Sequence, residues 1–158
     1  MGQNKEYLFT AENEFEYVKN SYLRGEVANT MAYIMQGLCE RYMKSIIQMA
    51  GMEVVASIDV MRTHSLRKLH MFIRDNISNV GYDWKVVSQA DGYYFNAMYP
   101  GDDYVIVTRE EIVACYEALI NIRDAAINYQ RLCKENSAEH KTVIEKIMDL
   151  EARTMEHK

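Results

Sequence analysis

The segment VANTMAYIMQGLCERYMKSIIQM, residues 27–49, decides the fold. Val27, Met31, Ile34, Leu38, Tyr42, Ile46 and Met49 recur every three or four residues. That is the period of one helix face, not the two-residue alternation of a strand. Gly51 supplies the stop. Immediately upstream, Leu8, Ala11, Phe15, Val18 and Tyr22 repeat the spacing, with Glu12, Glu14, Glu16 and Lys19 on the wet side and Gly25 at the end. The link between the two helices is short enough to require an antiparallel hairpin.

Working downstream, residues 52–62 are apolar but irregular and read as a connector with a short turn of helix. Thr63 can cap a third helix carrying Leu66, Leu69, Ile73 and Ile77, broken by Asn79-Val80-Gly81. A fourth segment runs from Trp84 to Met98, and Tyr99-Pro100-Gly101-Asp102-Asp103 is the clearest turn. Tyr104–Val107 has β propensity but no partner strand, so it reads as an extended arm packed on helices. Thr108-Arg109-Glu110-Glu111 is a capping box, in which hydroxyl and carboxylate satisfy each other's backbone donors. It opens a helix with Ile112, Cys115, Leu119, Ile122, Ala126 and Tyr129 that reaches about Glu135. Val143, Ile147 and Leu150 mark a last helix over about 137–156, either capped by Asn136 or Ser137 or continuous with the one before.

Only 1 proline and 7 glycines occur among 158 residues, too few for the turns of an all-β domain. The expected fold is all-α: an up-and-down bundle of four to five helices with an extra C-terminal helix. It forms one domain over residues 1–158, with a core over about 5–135.

The formal net charge of -5 disfavours a general nucleic-acid coat protein. Within it, residues 62–74 hold Arg62, Arg67, Lys68 and Arg74 and no acid, a local anion site in an acidic chain. Cys39, Cys115 and Cys133 form no CxxC pair, which fits reduced thiols in the cytoplasm. The N-terminus shows no apolar signal region, and no apolar run approaches the length of a membrane span.

Several chemistries are excluded. None of the four histidines follows an acid by three residues, so the Glu-x-x-His pair of a di-iron bundle is missing. There is no HExxH, zinc-type Cys/His cluster, GxGxxG or P-loop, and no metal or cofactor is expected. What remains is a set of polar groups at helical spacing. Glu40 and Lys44 stand four apart on the second helix, in the stabilising order. His64 stands at the start of the third, and Arg67, His70 and Arg74 line one face of it as a phosphate-tracking edge. Tyr99 marks the turn.

The order of these motifs resembles the HEPN domain family (higher eukaryotes and prokaryotes nucleotide-binding). That family carries a Glu-x-x-x-Lys helix, here Glu40 and Lys44; a His-x-Leu helix start, here His64-Ser65-Leu66; and a Tyr-Pro turn, here Tyr99-Pro100, before a Thr-capped helix. The resemblance covers about residues 5–130 and implies a four- or five-helix bundle, a homodimer, and binding of nucleotide or RNA. Many members are RNA-cleaving toxins paired with a small nucleotidyltransferase antitoxin. The nuclease motif Arg-x(4–6)-His is missing: its nearest remnant runs from Arg123 to Asn128 and Tyr129, with an amide where the imidazole would stand. An amide cannot shuttle a proton near neutral pH. Met98 replaces the arginine that commonly precedes Tyr-Pro. The expectation is a non-catalytic module holding a nucleotide or RNA phosphate in a cleft, at a dimer interface. An RNA-cleaving toxin and a protein-interaction module are the alternatives.

Overall fold

The computed structural model describes residues 6–155; residues 1–5 and 156–158 lie outside the described residues, and with them position 156, the expected end of the last helix. Helix α1 spans Tyr7–Leu23 and α2 spans Asn29–Met49, joined through Gly25, whose φ of 75° is the left-handed turn that glycine adopts without strain. The α1 stripe is buried as the spacing requires, at Leu8, Ala11, Phe15 and Val18. The α2 stripe is correct but too narrow. Met35, Cys39, Met43 and Ile47 on its other flank are equally buried, because α1, α4 (Leu66–Asn76) and α7 (Arg109–Met155) all pack on this one helix. Val27 precedes the helix and is exposed.

The connector after α2 is a helix, α3 (Glu53–Met61), interrupted at Ser57, where φ is 63° and ψ 167°. The cap of α4 falls two residues later than Thr63. The Ser65 side chain accepts from the Lys68 N–H, while the Thr63 hydroxyl accepts from the Ser65 N–H. Leu66, Leu69 and Ile73 are buried, and Ile77 is the residue after the last turn.

Residues 84–98 do not form one helix. They make α5 (Trp84–Val87), a 3-10 turn (Ser88–Ala90) and α6 (Tyr93–Asn96). The break has a cause at Asp91. Its carboxylate accepts from the backbone N–H groups of Leu66 at 3.0 Å and Arg67 at 3.1 Å, capping α4 from a distance, and Gly92 at φ 95° turns the chain away. The arm before α7 is pinned by Asn29, which donates to the carbonyls of Ala97 and Val105 and accepts from the Val107 N–H. It belongs to no helix or strand, and Val107 is buried.

The capping box forms: Thr108 N–H donates to Glu111 at 2.8 Å and Glu111 N–H to the Thr108 hydroxyl at 3.2 Å. The helix it opens is a single rod of 47 residues, so the last two helical stretches are continuous. Its first half is core, and from Lys134 to Met155 every residue is exposed. No helix among the described residues is long and apolar enough to cross a membrane.

One polar junction ties three helices. Arg123 of α7 donates two hydrogen bonds to the Glu12 carboxylate of α1, at 2.7 and 3.0 Å, and lies 4.0 Å over the Phe15 ring. The fully buried Tyr42 of α2 donates its hydroxyl to the same carboxylate at 2.6 Å. Burial opposes the charge on Glu12, but the bonds from Arg123 and Tyr42 outweigh it and hold its carboxyl below the usual range. A depressed carboxyl stabilises the fold at neutral pH, and that contribution is lost as pH falls through the depressed value. Tyr42→Phe is expected to cost about 1 kcal/mol and Arg123→Ala about 1–3 kcal/mol in urea denaturation at pH 7. The Arg123→Ala difference should shrink in acid as Glu12 protonates; a difference that stays constant down to acid unfolding would refute this role.

Candidate functional site

The enclosure of α2 leaves Gln36, Glu40, Lys44 and Ser45 buried, and each needs an internal partner. Ser45 bonds the Tyr42 carbonyl one turn back. Lys44 donates to Glu40 Oε1 at 2.5 Å, with only 5% and 11% of the two side chains exposed. The second Glu40 oxygen, Oε2, lies 3.0 Å from His64 Nδ1. Gln36 closes the frame: its amide donates to the His64 carbonyl at 2.7 Å and its oxygen accepts from the Tyr94 N–H at 2.6 Å. The outcome is a His64 ring stacked on Tyr94, centroids 3.7 Å apart and planes within 8°.

This stacked pair stands between two hollows. One, of about 270 Å³, reaches Glu40 and Arg41, and Arg41 is held by Glu14 at 2.7 Å. The other is a cleft of about 550 Å³ lined by Arg62, Lys68, His64, Tyr94 and Phe95. Arg62 and Lys68 are exposed and have no acidic side-chain partner among the described residues. Phe95 presents its ring at the rim, 60% exposed and edge-on to Tyr94 at 4.8 Å. Asp91 also lines this cleft, but both its oxygens are engaged with backbone N–H groups. The α4 N-terminus, a natural anion cradle, is therefore already filled by the protein's own carboxylate.

Of the residues singled out from the sequence, Glu40, Lys44 and His64 come together. Arg67 gives only its backbone N–H to Asp91, and its side chain lies on the outside of α4. Arg74 pairs with Asp75 at 2.8 Å in solvent. His70 is drawn inward: it stacks on Trp84 at 4.3 Å and its Nδ1 meets the Tyr82 hydroxyl at 2.8 Å. Burial and the charge of Arg74 hold His70 below the ordinary histidine range, so it stays neutral near pH 7. Tyr99 is exposed and tilts over Phe95 at 6.4 Å. Arg123 is engaged with Glu12, Asn128 faces solvent, and Tyr129 is half-buried on the same helix. Burial pushes the Cys115 thiol up to about 12 and the Cys39 thiol well above its ordinary value, so neither offers a thiolate. No cluster of His, Cys, Asp and Glu suited to a metal ion occurs among the described residues.

Sequence reasoning passed over Gln36, Asp91, Tyr94 and Phe95. Two signals pointed to them: a lone amide inside an otherwise apolar run, and an Asp-Gly turn directly before three aromatic residues, Tyr93 to Phe95. Breaking the buried pair should be costly. Lys44→Ala strips Glu40 of its ammonium partner and is expected to lower stability by about 3–5 kcal/mol. Urea unfolding measures it, and a cost below 1 kcal/mol, roughly that of an exposed pair, would show the two groups to be solvated.

A family model described as HEPN domain matches residues 5–130. No curated protein and no solved structure gives a significant match.

Proposed function

The chain belongs to the HEPN domain family, and on that premise we propose that it is a non-catalytic binding module holding the phosphate of a nucleotide or of RNA in the cleft beside His64. The observation that carries this reading is the meeting of two unpaired cations, Arg62 and Lys68, with a partly exposed histidine and two aromatic faces, Tyr94 and Phe95. Lys and Arg neutralise phosphate without reading sequence, and aromatic faces stack on any base. With the Nδ1 side of the His64 ring given to the Glu40 carboxylate, its Nε2 edge is left to a ligand: it accepts from a base or ribose hydroxyl when the ring is neutral and donates to phosphate only as imidazolium. The buried frame of Gln36 and Glu40 fixes that ring before any ligand arrives, so binding does not have to order it.

The cleavage reading gains no such observation. The guanidinium of Arg123 serves the Glu12 junction between α1 and α7, and no histidine stands near it on α7 in the described residues.

The test is a fluorescence-anisotropy titration with a labelled single-stranded RNA oligonucleotide, with a mononucleotide as competitor. Affinity is expected to fall as salt rises. Arg62→Ala and Lys68→Ala should each reduce the salt slope by about 1, and Phe95→Ala should cost about 1–3 kcal/mol of binding. Anisotropy that stays flat to millimolar ligand would remove the reading.

A further inference from the structure

Tyr33, Gly37 and Arg41 stand four apart on α2, so they form one row along its surface, about 12 Å from end to end. The outer two side chains are long and the middle residue has none, which leaves a notch between them. This notch lines the smaller hollow, together with Tyr94 and His64. Nothing in the fold asks for glycine there. A Cβ built on Gly37 meets no neighbouring atom within 4 Å, and its φ is not in the left-handed region. Glycine inside a helix weakens it, and alanine would not. The one effect of the missing side chain is to leave the hollow open.

The hollow has the size and the chemistry for one flat ring system. At about 270 Å³ it falls just below the pockets that take a whole drug-sized ligand, about 300–1,000 Å³. Tyr33 and Tyr94 wall it with ring centroids 5.4 Å apart and planes tilted by 36°, an aromatic surface for a planar ring. The polar groups around it include donors and acceptors. Arg41 donates to Glu14 at 2.7 Å and to the Gly37 and Thr10 carbonyls at 3.3 Å, which leaves two of its five N–H groups. The second Glu14 oxygen and the Tyr33 hydroxyl make no hydrogen bond among the described residues. A nucleobase carries donors and acceptors together along one edge. The hollow also shares His64 and Tyr94 with the cationic cleft, so a single nucleotide can reach both.

We propose that the notch at Gly37 is a nucleobase subsite. The base of a bound nucleotide lies over Gly37 and against Tyr33 and Tyr94, its ribose passes the His64 edge, and its phosphate stands in the cleft with Arg62 and Lys68. The proposal rests on the reading of the cleft as a phosphate site and adds to it a place for the base.

Calorimetric titration of the full chain tests it with three sets of probes: the four ribonucleoside 5′-monophosphates, ribose 5-phosphate, and the four ribonucleosides. Ribose 5-phosphate is the ligand without a base, and a nucleoside is the ligand without a phosphate. At least one monophosphate is expected to bind about tenfold more tightly than ribose 5-phosphate. Gly37→Leu should remove that advantage and leave ribose 5-phosphate binding unchanged. Gly37→Ala should reduce it in a chain at least as heat-stable as the wild type, so that the loss is not one of folding. Lys68→Ala should weaken the monophosphate and ribose 5-phosphate alike and spare the nucleoside. A monophosphate no tighter than ribose 5-phosphate, or one that folded Gly37→Leu binds as well as the wild type does, overturns the proposal. Failure of the cleft reading has a different signature: ribose 5-phosphate does not bind, while a nucleoside still does and is lost in Gly37→Leu, which upholds the base subsite alone. Silence with every probe overturns both.

Discussion

The structure depends on the enclosure of α2. A helix packed on nearly every side cannot leave a polar side chain to water, so each one must find a partner inside. Tyr42 finds Glu12 and through it Arg123, which joins α1, α2 and α7. Gln36 and Glu40 find His64 and Tyr94, which join α2 to the start of α4 and to α6. The polar residues of the central helix are thus the joints of the bundle, and apolar packing fills the space between them. No buried side-chain nitrogen or oxygen among the described residues lacks a hydrogen-bond partner.

That arrangement separates two roles that resemblance alone would merge. Arg123, Tyr42 and Glu12 hold the frame. His64, Tyr94, Phe95, Arg62 and Lys68 face a cleft and have surface to spare. Asp91 divides the basic segment further. By occupying the α4 N-terminus it removes the backbone cradle as a phosphate site, so the anion binding we propose rests on side chains. A site of that kind favours an extended, salt-sensitive ligand over a single phosphate gripped by amides.

Much of the fold was legible in the sequence, for a physical reason: burial on one face leaves a period of 3.6, and the hairpin, the stripe on α4 and the capping box at Thr108 all have that local signature. The second buried flank of α2 was not, because Met35, Cys39 and Met43 are placed by three helices at once. The split of residues 84–98 was hidden for a similar reason. Asp91 reaches across 24 residues to cap α4, and only the folded chain brings those atoms together. For the site, Glu40, Lys44 and His64 could be named from spacing, but their meeting could not. Tyr94 and Phe95 were passed over, because the Asp-Gly turn before them does not by itself tell a stacked platform from a packed ring.

A helix that is half core and half rod is not one thermodynamic object. Residues of α7 up to about Tyr129 are packed into the bundle and share its cooperative opening, whereas those beyond Lys134 are exposed and rest mainly on their own turns. Backbone amides along one unbroken helix will therefore trade their protons for solvent deuterons on widely separated timescales. The boundary between fast and slow exchange falls inside the helix, where no change in geometry marks it.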